Sequence, residues 1–197
     1  MVWVLVAVVV VLLVTVGVLL ARQQRSRTLR QGFGPEYDRV LSDRGDQRAA
    51  ERELAERRRR HAQFEIRALD PRLRDVYLER WQAAQRHFVD EPRLAVEEAD
   101  VLVAEVMHDR GYPIDSDFEQ RAADISVDHP VVVENYRAAH GISVRARSDQ
   151  ASTEQLRQSM VHFRTLFDEL LAPTEHEELD EQAEGGEAAY PETTRRT

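Results

Sequence analysis

Apolar residues are distributed along this chain in two different ways. From residue 2 to residue 21 they are unbroken, VWVLVAVVVVLLVTVGVLLA, with Thr15 as the one polar side chain and no charge. Beyond residue 35 they recur every three or four positions, the interval of a single helix face. The first pattern predicts a transmembrane helix over 2–21, because twenty residues rising 1.5 Å each cover about 30 Å, the thickness of a bilayer's hydrocarbon core. Its ten valines are poor helix formers in water. In lipid the helix is still favoured, since it pairs every backbone amide.

A cleaved export signal is the competing reading. It needs a basic leading region, an apolar core of roughly 7 to 15 residues and a small-x-small cleavage site. No Lys or Arg precedes the run, and Leu19 with Ala21 makes a poor cleavage pair. The expectation is therefore an anchor, with an exported helical domain as the alternative. Arg22, Arg25, Arg27 and Arg30 follow the run with no acid among them, which by the positive-inside rule places the N-terminus outside and the C-terminal domain in the cytoplasm. Trp3 then sits at the outer interface and the four arginines at the inner one.

The second pattern predicts an irregular bundle of five to six helices, so the fold class is all-α. A basic juxtamembrane linker is expected over 22–35, a helical domain over 36–171 and an acidic tail over 172–197. Tyr37–Leu41 reads as a short helix ending near Gly45. Residues 46–64 read as a solvated helix with a thin apolar stripe of Ala50, Leu54 and Phe64. Asp70 and Pro71 open a helix to 89, with Leu73, Tyr77, Trp81, Ala84 and Phe88 on one face. Pro92 opens the most apolar helix, Leu94 to Met107, closed by Gly111 and expected at the centre. Ser116-x-x-Glu119 is a capping box for a short helix to Ile125, and Asp128 with Pro130 starts another that ends near Gly141. After a polar loop over 141–151, Ser152-x-x-Gln155 caps a last helix to Leu171. Its Leu156, Met160, Phe163, Phe167 and Leu170 form a heptad seam, expected as one wall of an intramolecular core. The tail from Pro173 is too acidic and too poor in apolar residues to offset its ordering entropy, so disorder is expected there.

Charge sharpens this layout. The net charge is −9, yet residues 22–30 carry four arginines and no acid, while residues 70–128 carry seven arginines and fifteen acids. Basic charge beside the apolar run suits an anionic leaflet, and the acidic remainder argues against nucleic acid as a partner. Cysteine is absent, which removes disulfides, thiol nucleophiles and iron–sulfur ligation. Lysine is absent too, so Schiff-base and Walker-type chemistry have no residue to use.

Candidate chemistry is sparse. No His-Glu-x-x-His, Gly-x-Ser-x-Gly or glycine-rich phosphate loop occurs, so no catalytic, cofactor or metal site is expected. One alternative stays open: His129, Glu134 and His140 converging in a metal-dependent hydrolase. His87 and His108 read as helix-end histidines, and the carboxylates at 97, 98, 100, 115 and 117 as solvated faces or caps. Arg57–Arg60 either docks to headgroups or an acidic partner, or pairs with Glu53 and Glu56 on a solvated helix. Gly17-x-x-x-Ala21 is a weak helix-pairing pattern.

Four stretches carry a family resemblance: FGPEYDRVLSDRGD at 33–46, HFVDEPRLAVEEADVLVAEVMHDRGYP at 87–113, FEQRAADISVDHP at 118–130 and STEQLRQSMVHFRTLFDELL at 152–171. Through them the chain resembles a family of single-pass membrane-anchored helical proteins of GC-rich Gram-positive (actinobacterial-type) bacteria. The resemblance implies a topology and no activity. The leading functional expectation is a membrane-tethered helical interaction module, an adaptor with a lipid bilayer and a protein as partners.

Overall fold

The computed structural model describes residues 2–172, leaving out the side chains of residues 4–11, 14, 18, 19, 21 and 22. All regular structure in the described residues is helical: α1 (Val2–Arg44), α2 (Gln47–His61), α3 (Pro71–His87), α4 (Pro92–Asp109), α5 (Phe118–Ile125), α6 (Val133–Arg147) and α7 (Thr153–Leu171). Among the described residues no helix is long and apolar enough to cross a membrane. The span expected over 2–21 has most of its side chains outside the described residues, as does the acidic tail from Pro173 onward.

The chain forms two compact units, one of Met1–Phe64 with Ser116–Arg137, the other of Glu65–Asp115 with Ala138–Thr197. In the first, α1 packs on α2 and α2 on α5. Its core is Leu29, Phe33, Tyr37, Val40, Ala50 and Leu54, with Leu41 and Val127 against it. The expected linker over 22–35 is corrected here, because α1 stays helical through it and breaks at one residue, Gly34 (φ 46, ψ −125). Few residues other than glycine adopt that backbone, and Pro35 then restarts the helix at a position where its missing N–H costs nothing. Leu29 and Phe33, four apart, hold the segment in helix by burying one face. The helix expected to be solvated is likewise half buried, with Ala50 and Leu54 fully covered. Asp46 caps α2 by accepting from the Ala49 amide at 2.9 Å.

In the second unit α4 packs between α3 and α7, and its buried Ala95, Val96, Ala99, Leu102, Val103, Val106 and Met107 bear out its central place. Trp81 of α3 stacks on Phe167 of α7 with ring centroids 4.8 Å apart. The capping box of α7 is present as expected, and its apolar seam is buried inside the unit. Helix α4 ends as Gly111 takes φ 95, while the Tyr112 amide donates to the Met107 carbonyl at 2.9 Å and the Gly111 amide to His108 at 2.8 Å. A β-carbon on Gly111 would collide with the carbonyl of Glu65.

Three local expectations change. Asp117, not Ser116, caps α5, accepting from the Gln120 amide at 2.8 Å. Helix α6 runs through Gly141 to Arg147, because Ala139, Ile142, Ser143 and Ala146 continue its buried face. Leu73, placed on the apolar face by spacing alone, is 41% exposed.

Candidate functional site

The most concentrated polar chemistry lies in the first unit, around Glu36. This residue opens the restarted half of α1, directly after Pro35, and is only 2% exposed. Arg39, one turn on, donates to both of its oxygens at 3.0 Å. Arg137 of α6 also donates to both, at 2.8 and 2.9 Å, and Arg57 of α2 donates from Nη1 to Oε1 at 2.6 Å. Burial pushes the Glu36 pKa up, but the hydrogen bonds of Arg39, Arg137 and Arg57 and the charge of Arg137 overcome it and hold the carboxyl at about 2. Five donors fill the four or so lone-pair positions a carboxylate offers. Such a group has no proton to give and no free lone pair for a substrate. It works as a junction of three helical segments.

Further pairs surround it. Arg57 also bonds Glu53 and donates to Ser126 Oγ at 3.2 Å; Arg60 donates to Asp124 at 2.8 Å; His61 Nε2 lies 2.6 Å from Asp128. The expected Arg57–Glu53 pairing is present, although Arg57 is buried rather than solvated. Beside the junction a cleft of 370 Å³ is lined by Arg39, Asp43, Arg44, Glu53, Arg57 and Glu119, and its basic groups are already paired with carboxylates.

A second cleft in this unit is larger, 1110 Å³, and more basic. Arg25, Arg27, Arg48 and Arg52 line it with Asp46 and Glu51. Gln47 bridges its two walls, donating to Ser26 Oγ at 3.1 Å and to Glu51 at 2.8 Å. In the second unit a cavity of 470 Å³ lies between α3 and α4, bounded by Ala84, Leu94, Val101, His87 and Glu98.

The sequence-predicted interface residues are placed as follows. Trp3 is 86% exposed, and Arg25, Arg27 and Arg30 are exposed, whereas the Arg22 side chain lies outside the described residues. Arg30 donates to Asp38 at 3.2 Å and lies 5.1 Å from the centre of the Tyr37 ring. Of the alternative metal trio, Glu134 is 3.8 Å from Arg137, and His140 Nδ1 is 3.5 Å from Asp100. Among the described residues no group of three His, Asp or Glu side chains is positioned to hold a metal ion. His87 pairs with Glu98 of the next helix at 3.0 Å rather than with its neighbour Asp90. Asp117 is a cap, and Asp100 takes Arg147 at 3.3 Å. Sequence reasoning missed Glu36 and Arg137 altogether, since a contact across 101 positions leaves no local pattern.

Comparison of the chain with protein-family models, curated proteins and solved structures finds no match.

Proposed function

We propose that this protein is a membrane-tethered helical interaction module, anchored by residues 2–21 with its soluble units on the cytoplasmic side. The observation that carries this reading is the continuity of α1. The helix that bears the unbroken apolar run enters the first unit without a break before Gly34 and supplies Leu29 and Phe33 to its core. Val2, Trp3, Leu12, Leu13, Val16 and Leu20 of that run are each more than half exposed, a pattern that water disfavours and lipid accommodates. The arginines at 22, 25, 27 and 30 favour retention of the following chain on the cytoplasmic face. An interaction role fits two compact units, one of which has an open cavity between α3 and α4.

The test is a pair of C-terminal reporter fusions combined with fractionation. A cytoplasm-only fluorescent reporter should glow, and the chain should stay in the membrane pellet after alkaline carbonate extraction. Phosphatase activity at the C-terminus, or a soluble product clipped near residue 21, overturns the topology. Crosslinking in cells followed by mass spectrometry should return a reproducible protein partner. Recovery of this chain alone overturns the adaptor role.

A further inference from the structure

We infer that the cleft framed by Arg25, Arg27, Arg48 and Arg52 is a docking site for the headgroups of anionic lipids. The inference rests on the membrane-tethered reading and adds a second element, α2, to the contact. Besides Arg57–Arg60, which do not line this cleft, sequence alone points to the arginines that follow the apolar run, all of them on α1. The structure joins to them two arginines that stand more than twenty positions later. Gln47 donates to Ser26 Oγ at 3.1 Å, which fastens the start of α2 beside α1 at residue 26. Ser26 lies five residues past the end of the apolar run at 21, so the junction is about 8 Å further along the helix axis. The polar layer of each leaflet is roughly 5–8 Å deep, which puts Arg48 beneath it and within reach of its phosphates.

The pairing pattern separates three of these four residues from most of their neighbours, while Arg25 acts by its charge on Glu51. Arg30, Arg39, Arg44, Arg57, Arg60 and Arg137 of the first unit each lie within 4 Å of a carboxylate. Arg27, Arg48 and Arg52 are exposed and, among the described residues, make no such pair. The two acids of the cleft are occupied locally. Asp46 caps α2 at 2.9 Å, and Glu51 receives Gln47 at 2.8 Å and the Tyr37 hydroxyl at 3.3 Å. Four guanidinium groups and two engaged carboxylates leave an excess of positive charge on one wall-to-wall opening of 1110 Å³. Planar guanidinium forks suit phosphate oxygens, and several aimed into one opening can clasp a phosphodiester from two sides.

The experiment uses the full chain in nanodiscs of phosphatidylcholine, without or with phosphatidylglycerol, read by amide hydrogen exchange over residues 23–30 and 47–55. Phosphatidylglycerol should slow exchange in both segments together. Arg48→Gln with Arg52→Gln should raise the phosphatidylglycerol content needed for half the protection by an order of magnitude or more, at about fivefold per arginine. Arg58→Gln with Arg59→Gln, which removes the same charge further along α2, should leave that content unchanged. Equal exchange in both lipids, or an equal loss in the two variants, overturns the headgroup site. Protection by inorganic phosphate in phosphatidylcholine discs overturns it too, since the cleft would then take a free anion. A chain that fails to enter discs of either composition overturns the tether itself, a distinct outcome from one retained in neutral discs without a lipid effect.

Discussion

One helix junction in the first unit is fixed by buried charge, and one in the second by stacked aromatic rings. At the meeting of α1, α2 and α6, Glu36 is held by three arginines; at the meeting of α3 and α7, Trp81 stacks on Phe167. Both devices fix helix positions, but by different physics. An apolar contact adapts when one partner shrinks and loses stability in proportion to the cavity left behind. A buried carboxylate with arginine partners is directional, and losing one member strands uncompensated charge. The first unit should therefore respond most to charge and acid, and the second most to volume.

The largest effect should come from Phe167→Ala, which costs the second unit about 4 kcal/mol. Denaturant unfolding of the detergent-solubilised chain, followed by Trp81 fluorescence, measures it, while α2 amides in the first unit keep their exchange protection. Glu36→Gln comes next, at about 3 kcal/mol, because it leaves three guanidinium groups around a neutral amide. Its readout is the reverse: loss of protection over 47–61 with the Trp81 transition unmoved.

Acid and alkali sharpen the contrast. The Glu36 pKa is about 2 in the folded chain against 4.5 unperturbed, so its contribution is present above pH 4.5 and lost as pH falls toward 2. The first unit should lose roughly 3 kcal/mol across that window, and Glu36→Gln should flatten the acid slope. In the second unit Tyr77 donates to Asp109 at 2.6 Å, and burial followed by that hydrogen bond raises its pKa above the usual tyrosine value of 10. Its contribution is complete below pH 10 and is lost as pH climbs through the raised value. Tyr77→Phe should remove this alkaline sensitivity in a Trp81-monitored titration. The smallest effect is Ser152→Ala, which unmakes the α7 capping box and costs the second unit about 1 kcal/mol.

The second unit was the more legible of the two in the sequence. Helices α4 and α7 carry dense apolar faces between plain start and stop signals, Pro92 to Gly111 and Ser152 to Leu171, and both were placed within about a residue. The first unit was harder because its order depends on pairings distant in sequence. Glu36 sits one residue past a proline and reads as a polar start to a helix; only folding brings Arg57 and Arg137 to it. Leu29 and Phe33 are isolated apolar residues in a polar stretch, and glycines at 32 and 34 made that stretch look like a linker. In the second unit Gly141 misled in the same way, since a glycine stops a helix only where no buried face continues past it. The basic cleft was half legible, its α1 arginines marked by the apolar run beside them and its α2 arginines hidden in an ordinary charged helix.

An unbroken rod makes angular phase matter as much as composition. Between Val2 and Phe33 the α1 backbone has no break, so the turn of the helix along the apolar run is in register with the turn that seats Leu29 and Phe33. Inserting one residue near Arg25 would turn everything upstream by about 100° and push it out by about 1.5 Å, whereas inserting four would come back to within roughly 40°. A change of length near Arg25 therefore keeps the apolar stretch in register with the Leu29 and Phe33 face only when it is close to a whole number of turns.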